Sequence, residues 1–180
     1  MARASIAGIR GKDAKRLIVS DGYPYAQVPN SELFDTGILQ SRHEYSPIEL
    51  THYHCEWARP MSMGFPLPAW PAKDAQGKVI TTKEKLAEEI APWGELAKHG
   101  IPMHVGEMGC NRYTPPKVAH AWFNDALDVI GGLNSGWALW NFRGPFGVLD
   151  TNREGTDYTD FHGHKLDNTL LKILQAHVKA

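Results

Sequence analysis

The chain has 180 residues, 42% hydrophobic and 22% charged, a composition that excludes a disordered protein and suits a single globular domain, residues 1–180, with a real core. The formal charge of −1, with no cluster of Lys and Arg, argues against a nucleic-acid partner or an anionic membrane surface. Cys55 and Cys110 stand in no CxxC spacing, so two free thiols are expected rather than a disulfide framework or a zinc site.

No apolar run approaches a membrane span, and "MARASIAGIRGKDAK" has no apolar signal-peptide segment. No membrane partner is expected, nothing in these residues sends the chain out of the cell, and the compartment stays unknown.

In chain order, "ASIAGIRGKDAK" reads as the tail of a helix and "KRLIVSDG" as a short, fully buried strand. "VPNSELFD" has room only for a short helix. "TGILQSRHEY", residues 36–45, is a second strand. It leads into the Pro- and aromatic-rich stretch "SPIELTHYHCEWARPMSMGFPLPAWPAKDAQG", read as a long loop arching over the strand ends with Trp57 near them.

"TTKEKLAEEIAPWGELAKHG" places Leu86, Ile90, Trp93 and Leu96 on one helix face, kinked or restarted at Pro92 and stopped by Gly100. The strand "IPMHVGE" follows. "TPPKVAHAWFNDALDVIGG" is a helix with Thr114 as its expected N-cap. "SGWALWNFRGPFGVLD" gives a strand and an irregular hairpin-like segment, and "HGHKLDNTLLKILQAHVKA" a last helix carrying Leu166, Leu170 and Leu174. Strands that alternate with helical segments predict an α/β fold with a parallel sheet and right-handed crossovers. A doubly wound nucleotide-binding domain is disfavoured, because "SDGYPYA" after the first strand carries no phosphate-binding glycine pattern.

In parallel α/β folds the chemistry gathers at the carboxyl ends of the strands. Those ends hold Asp21, the His43-Glu44-Tyr45 group, Glu107 and the Trp140-Asn141 pair. Side chains alternate along a strand, so His43 and Tyr45 share a face and Glu44 points away from it. Glu107 has two readings: a surface carboxylate capping the next helix, a task Thr114 is better placed to perform, or a reactive group held where flanking glycines let backbone and ligand approach. The His52, His54, Cys55 group and the His162, His164 pair lack a matching ligand motif, so no metal and no cofactor are expected. Among the tryptophans Trp57, Trp70 and Trp137 suit either packing or stacking on a sugar, whereas Trp140, beside Asn141 at a strand end, suits stacking.

The run "PMHVGEMG" resembles the nucleophile strand of family 5 glycoside hydrolases, the cellulase-like branch of the large clan of (β/α)8 barrels. "LQSRHEYSPIELTHY" is similar to that family's sixth strand with its His-x-Tyr pair, and "GWALWNFRGPFGVLD" to its eighth, with the tryptophan that floors the sugar subsite. "DFHGHKLDNTLLKILQ" is similar to the closing helix of one bacterial branch. The resemblance implies half of a TIM (β/α)8 barrel, equivalent to the fifth to eighth strands, acting on a β-1,4-linked glucan or mannan oligosaccharide. It also implies that Glu107 is the nucleophile of a retaining endo-glycosidase, that Tyr45 hydrogen-bonds it, that His43 lines the subsite and that Trp140 stacks on the sugar; Asn141, beside Trp140 at the strand end, and Trp57, on the long loop, are expected as further substrate contacts by their positions. Members of the family are often secreted.

Retaining chemistry needs a second carboxylate about 5 Å from the first. In the family it is the Glu of an Asn-Glu dipeptide ending the fourth strand, and this sequence contains no Asn-Glu. Two further expectations follow: either weak hydrolysis or a catalytically silent sugar-binding half-barrel. A half-barrel would also leave two strand edges and an apolar inner sheet face open, so a homodimer closing an eight-stranded barrel is expected.

Overall fold

The computed structural model describes residues 1–133 and 135–178. Helix α1 (Ala2–Lys12) is followed by strand β1 (Val19–Asp21), a 3-10 turn at Ser31–Leu33 and strand β2 (Leu39–Glu44). The segment after β2 contains a one-turn helix α2 (Ile48–Thr51), 3-10 turns at Glu56–Ala58 and Met61–Gly64, and an antiparallel hairpin of β3 (Ala72–Lys73) and β4 (Val79–Thr81). Helix α3 (Lys83–Lys98), strand β5 (Met103–Met108), helix α4 (Pro116–Gly132) and strand β6 (Gly136–Leu139) come next. A second hairpin, β7 (Tyr158–Phe161) with β8 (His164–Asp167), leads into helix α5 (Asn168–Ala176).

β1, β2, β5 and β6 form one parallel sheet in that order, so consecutive barrel strands are neighbours as in half of a (β/α)8 barrel. Val105 and Met108 of β5 are fully buried on the helix side, in one core with Trp93 and Leu96 of α3, Trp122, Phe123 and Ile130 of α4, and Leu170 of α5. A smaller cluster of Ile6, Leu33 and Ile38 fastens α1 beneath the start of β2. This apolar stripe is what orders the helices, since helical propensity alone is marginal at these lengths.

Five local expectations change. β1 is an edge strand with Val19 48% exposed, because it has a neighbour on one side only. The stretch after β2 is ordered by backbone turns and a hairpin instead of being structureless. α3 runs unbroken through Pro92; burial of Leu86, Ile90, Trp93 and Leu96 along one face outweighs the lost hydrogen bond. Thr114 does not cap α4, where Pro115 holds the N-cap position. Its Oγ1 instead donates to the Leu50 carbonyl at 2.6 Å, tying α2 to α4 from a buried position. The last helix begins later than expected. Leu166 lies in β8, and the Asp167 side chain accepts from Leu170 N–H to start α5. The end of that expected helix, Lys179 and Ala180, lies outside the described residues.

The inner face of the sheet is not apolar either. With Val105, Met108, Trp137 and Leu139 directed to the helices, alternation turns His104 inward, and the irregularity between Val105 and Met108 brings Glu107 to the same side, where His43 and Asp21 meet it. Polar side chains line the concave side.

Candidate active site

β2 and β5 carry the centre of the site. The register shifts between Arg42 and His43, and His43 is then paired across the sheet with Glu107. From two residues further on, the Tyr45 hydroxyl donates to Glu107 Oε2 at 2.9 Å, and His43 Nδ1 lies 3.5 Å from the same oxygen. The other ring nitrogen of His43 is 3.4 Å from Asp21 Oδ1 at the end of β1. Both neighbours of Glu107 therefore converge on one carboxylate oxygen, Oε2.

Burial, with the Glu107 charge beside it, pushes the Tyr45 phenol well above its ordinary value, so it remains a proton-bearing donor at neutral pH. Tyr45 is packed edge-on against His52 at 5.0 Å, and His52 in turn against Trp57 at 5.2 Å and Phe146 at 5.4 Å. Burial lowers the His52 ring to about 4, which keeps it neutral at pH 7. That aromatic wall runs from the carboxylate into a cavity of about 220 Å³ lined by Trp57, Arg112, Trp140, Asn141 and Phe146 among others. Glu107 is not in the cavity's lining; Phe146, 6.4 Å from the Tyr45 ring, joins the two.

The six expected site residues thus fall in two groups. Glu107, Tyr45 and His43 meet directly, while Trp140, Asn141 and Trp57 share the adjoining cavity. Trp140 is held to β5 through its backbone N–H, which donates to the Met108 carbonyl at 2.7 Å. Asn141 Oδ1 is buried with no hydrogen-bond partner among the described residues.

Glu44 lies on the other face, its carboxylate gripped by Arg42 Nε and Nη2 at 3.0 and 2.9 Å and by Ser46 N–H at 2.9 Å. Trp70 and Trp137 pack against the core, Trp70 donating to Asp125 at 2.8 Å. Among the described residues no group of three His, Cys, Asp or Glu side chains is arranged to hold a metal ion. His164 pairs with Asp150 at 2.8 Å, His54 stacks on Tyr53, and Cys55 and Cys110 are buried free thiols.

The glycines around Glu107 have a different cause from ligand approach. A Cβ at Gly106 would overlap the Ser41 hydroxyl, and one at Gly109 the Trp140 carbonyl, so both positions let neighbouring strands close up. Missing from the sequence reading were Asn111, Arg112 and Glu56. Arg112 and the Tyr113 hydroxyl reach Glu56 at 2.9 and 3.0 Å and so fix the loop bearing Trp57 beside the cavity. The only signal for them was position, "NRY" lying directly past Glu107 and "CEW" within the long segment.

No protein-family model and no curated protein matches the chain. Among solved structures it is similar to a glycoside hydrolase at 36% identity and a TM-score of 0.91, over 99% of this chain and 53% of that one. The chain is half of a TIM barrel. It also matches the endoglucanase Cel5A from Thermotoga maritima (22% identity, TM-score 0.69, 96% of this chain and 52% of that one). The cellulose synthase subunit Z from Clostridioides difficile gives 21% identity and a TM-score of 0.71, over 95% and 53%. The last two likenesses concern the fold alone. The half-barrel spans about half the length of the solved structures it matches.

Proposed function

We propose that this half-barrel binds a β-1,4-linked glucan or mannan oligosaccharide and that Glu107 is the nucleophile of a retaining glycosidase reaction. The observation that carries the reading is the Tyr45 hydroxyl on Glu107 Oε2 at 2.9 Å, with His43 Nδ1 against the same oxygen. Two contacts on one oxygen fix the carboxylate plane and leave Oε1 to attack the anomeric carbon. Trp140 and Trp57 offer apolar faces to sugar rings in the cavity that Asn141 also lines.

In the first step Oε1 of Glu107 forms a bond to the anomeric carbon while the glycosidic bond breaks. Its electron pair leaves with the aglycone oxygen, which an ordinary sugar alcohol tolerates only if an acid protonates it. Around Glu107 lie His43, Tyr45 and, behind His43, Asp21, whose carboxylate is separated from Glu107 by the His43 ring. Cleavage of natural glycosides by this chain is therefore slow, whereas an aryl glycoside whose phenolate leaves unprotonated reacts readily. A dinitrophenyl β-cellobioside tests this. A burst of phenolate that Glu107→Gln abolishes supports the reading; binding of cellobioside with no burst supports a silent sugar-binding module instead.

A further inference from the structure

Thr51 ends the one-turn helix α2, His52 caps it, and a single hydroxyl there serves two neighbours. Thr51 Oγ1 lies 2.7 Å from the Tyr45 carbonyl oxygen and 3.0 Å from His52 Nδ1, with a longer contact of 3.4 Å to the Pro47 carbonyl. A hydroxyl has one proton to donate, and a carbonyl has none. The Thr51 proton therefore goes to the Tyr45 carbonyl, and the proton between Thr51 and His52 comes from the ring. Burial keeps that ring uncharged at neutral pH. Its one proton then stands on Nδ1, and Nε2 carries none.

The consequence falls on Tyr45. Tethered through Nδ1, the His52 ring stands edge-on to the Tyr45 ring, with centroids 5.0 Å apart and planes at 77°. Trp57 and Phe146 pack against the same imidazole, which is 5% exposed and has little room to turn. Thr51 thus holds Tyr45 twice, directly at its carbonyl and through His52 at its ring.

The anchor is tied in turn to the strand that carries Glu107. One helical turn has no stability of its own, and α2 is fixed from outside. The Thr51 carbonyl accepts from Asn111 N–H at 2.7 Å, and the Leu50 carbonyl from Thr114 Oγ1 at 2.6 Å. Both donors lie in the segment directly after β5, so Tyr45 and Glu107 are set against one common support.

We propose that His52 is a positioning residue: as its Nδ1–H tautomer, anchored on Thr51, it holds the Tyr45 ring so that the hydroxyl stays on Glu107 Oε2 at 2.9 Å. It acts on Glu107 through Tyr45. Its effect on the reaction rests on Glu107 being the nucleophile, whereas the tautomer and the hold on Tyr45 do not.

Magnetic resonance of the full chain with labelled histidine rings reads the tautomer at neutral pH, and the proton is expected on Nδ1 of His52. The Tyr45 hydroxyl proton is expected to exchange with water slowly in the wild type and roughly tenfold faster in His52→Ala and Thr51→Val. Thr51→Ser, which keeps the hydroxyl, is expected to restore slow exchange; this pair reads the hold even where loss of the imidazole unfolds the chain. The aryl cellobioside burst is expected to slow roughly tenfold in His52→Ala, and to slow no further when His52→Ala is added to Tyr45→Phe, because both act through one hydroxyl. A proton on Nε2, hydroxyl exchange unchanged in both variants, or additive slowing in the double variant overturns the proposal. A wild type without a burst, whose His52 is protonated on Nδ1 and whose Tyr45 exchange responds to both variants, refutes the nucleophile and supports the hold on Tyr45.

Discussion

On the helix side of the sheet Val105 and Met108 are sealed beneath Trp93, Trp122 and Phe123, whereas on the concave side Asp21, His43 and Glu107 keep 56%, 23% and 29% of their side-chain surface. The same strands supply both, because successive residues point to opposite faces. Burial holds the first face together through dispersion and lost apolar surface. The second contributes little packing and gathers groups that interact by charge and hydrogen bonding. Along β2 stability and chemistry thus fall to alternate residues, and substitutions one position apart there should differ in kind, while in β5 the irregularity between Val105 and Met108 sets Glu107 on the open side.

The largest effect is expected on the sealed face. Arg42 and Glu44 are 1% and 2% exposed and paired there, so Arg42→Ala leaves a buried carboxylate unpaired and should cost about 3–5 kcal/mol. Urea unfolding should show this, while the neighbouring His43→Ala should lower stability far less.

Acid should weaken the fold through His52, the ring packed among Tyr45, Trp57 and Phe146. Burial lowers His52 from 6.5 to about 4, so between those values the folded chain binds fewer protons than the unfolded one. Its contribution is full above about 6.5 and is lost as the pH falls to about 4. Unfolding midpoints measured across that window should decline, and less steeply in His52→Gln.

On the concave side, Tyr45→Phe removes a hydrogen bond to a charged group, worth about 1.5–3 kcal/mol. The expected outcome is a burst from an aryl cellobioside slowed roughly 10- to 100-fold, with the unfolding free energy lowered by no more than about 1.5–3 kcal/mol. The smallest effect belongs to Trp57→Ala. Trp57 is 73% exposed, so stability should hold, and titration with a cello-oligosaccharide should show affinity lowered roughly 2- to 10-fold through lost stacking.

The sequence carried the parallel sheet clearly, because "TGILQSRHEY" and "IPMHVGE" and the helix stripes of Leu86 to Leu96 and Trp122 to Ile130 follow periods that burial requires. The alternation rule also separated His43 and Tyr45 from Glu44. Less legible was anything that depends on long-range contact. Thr114 has the chemistry of an N-cap, and only the approach of Leu50 redirects it. Leu166 fits a helix period, yet the pairing of β8 with β7 places it in a strand. The glycines beside Glu107 suggested ligand approach, where the closeness of Ser41 and Trp140 is the cause. Arg112 and Glu56 are 56 residues apart, and their ion pair has no local signature.

Glu107 is proposed as the group that bonds to the sugar, and intact-mass and peptide mass spectrometry of the chain quenched during the dinitrophenyl β-cellobioside burst tests this most directly. A single cellobiosyl adduct on the peptide containing Glu107, absent in Glu107→Gln, is the predicted result. An adduct on any other residue, or one that persists in Glu107→Gln, would contradict it.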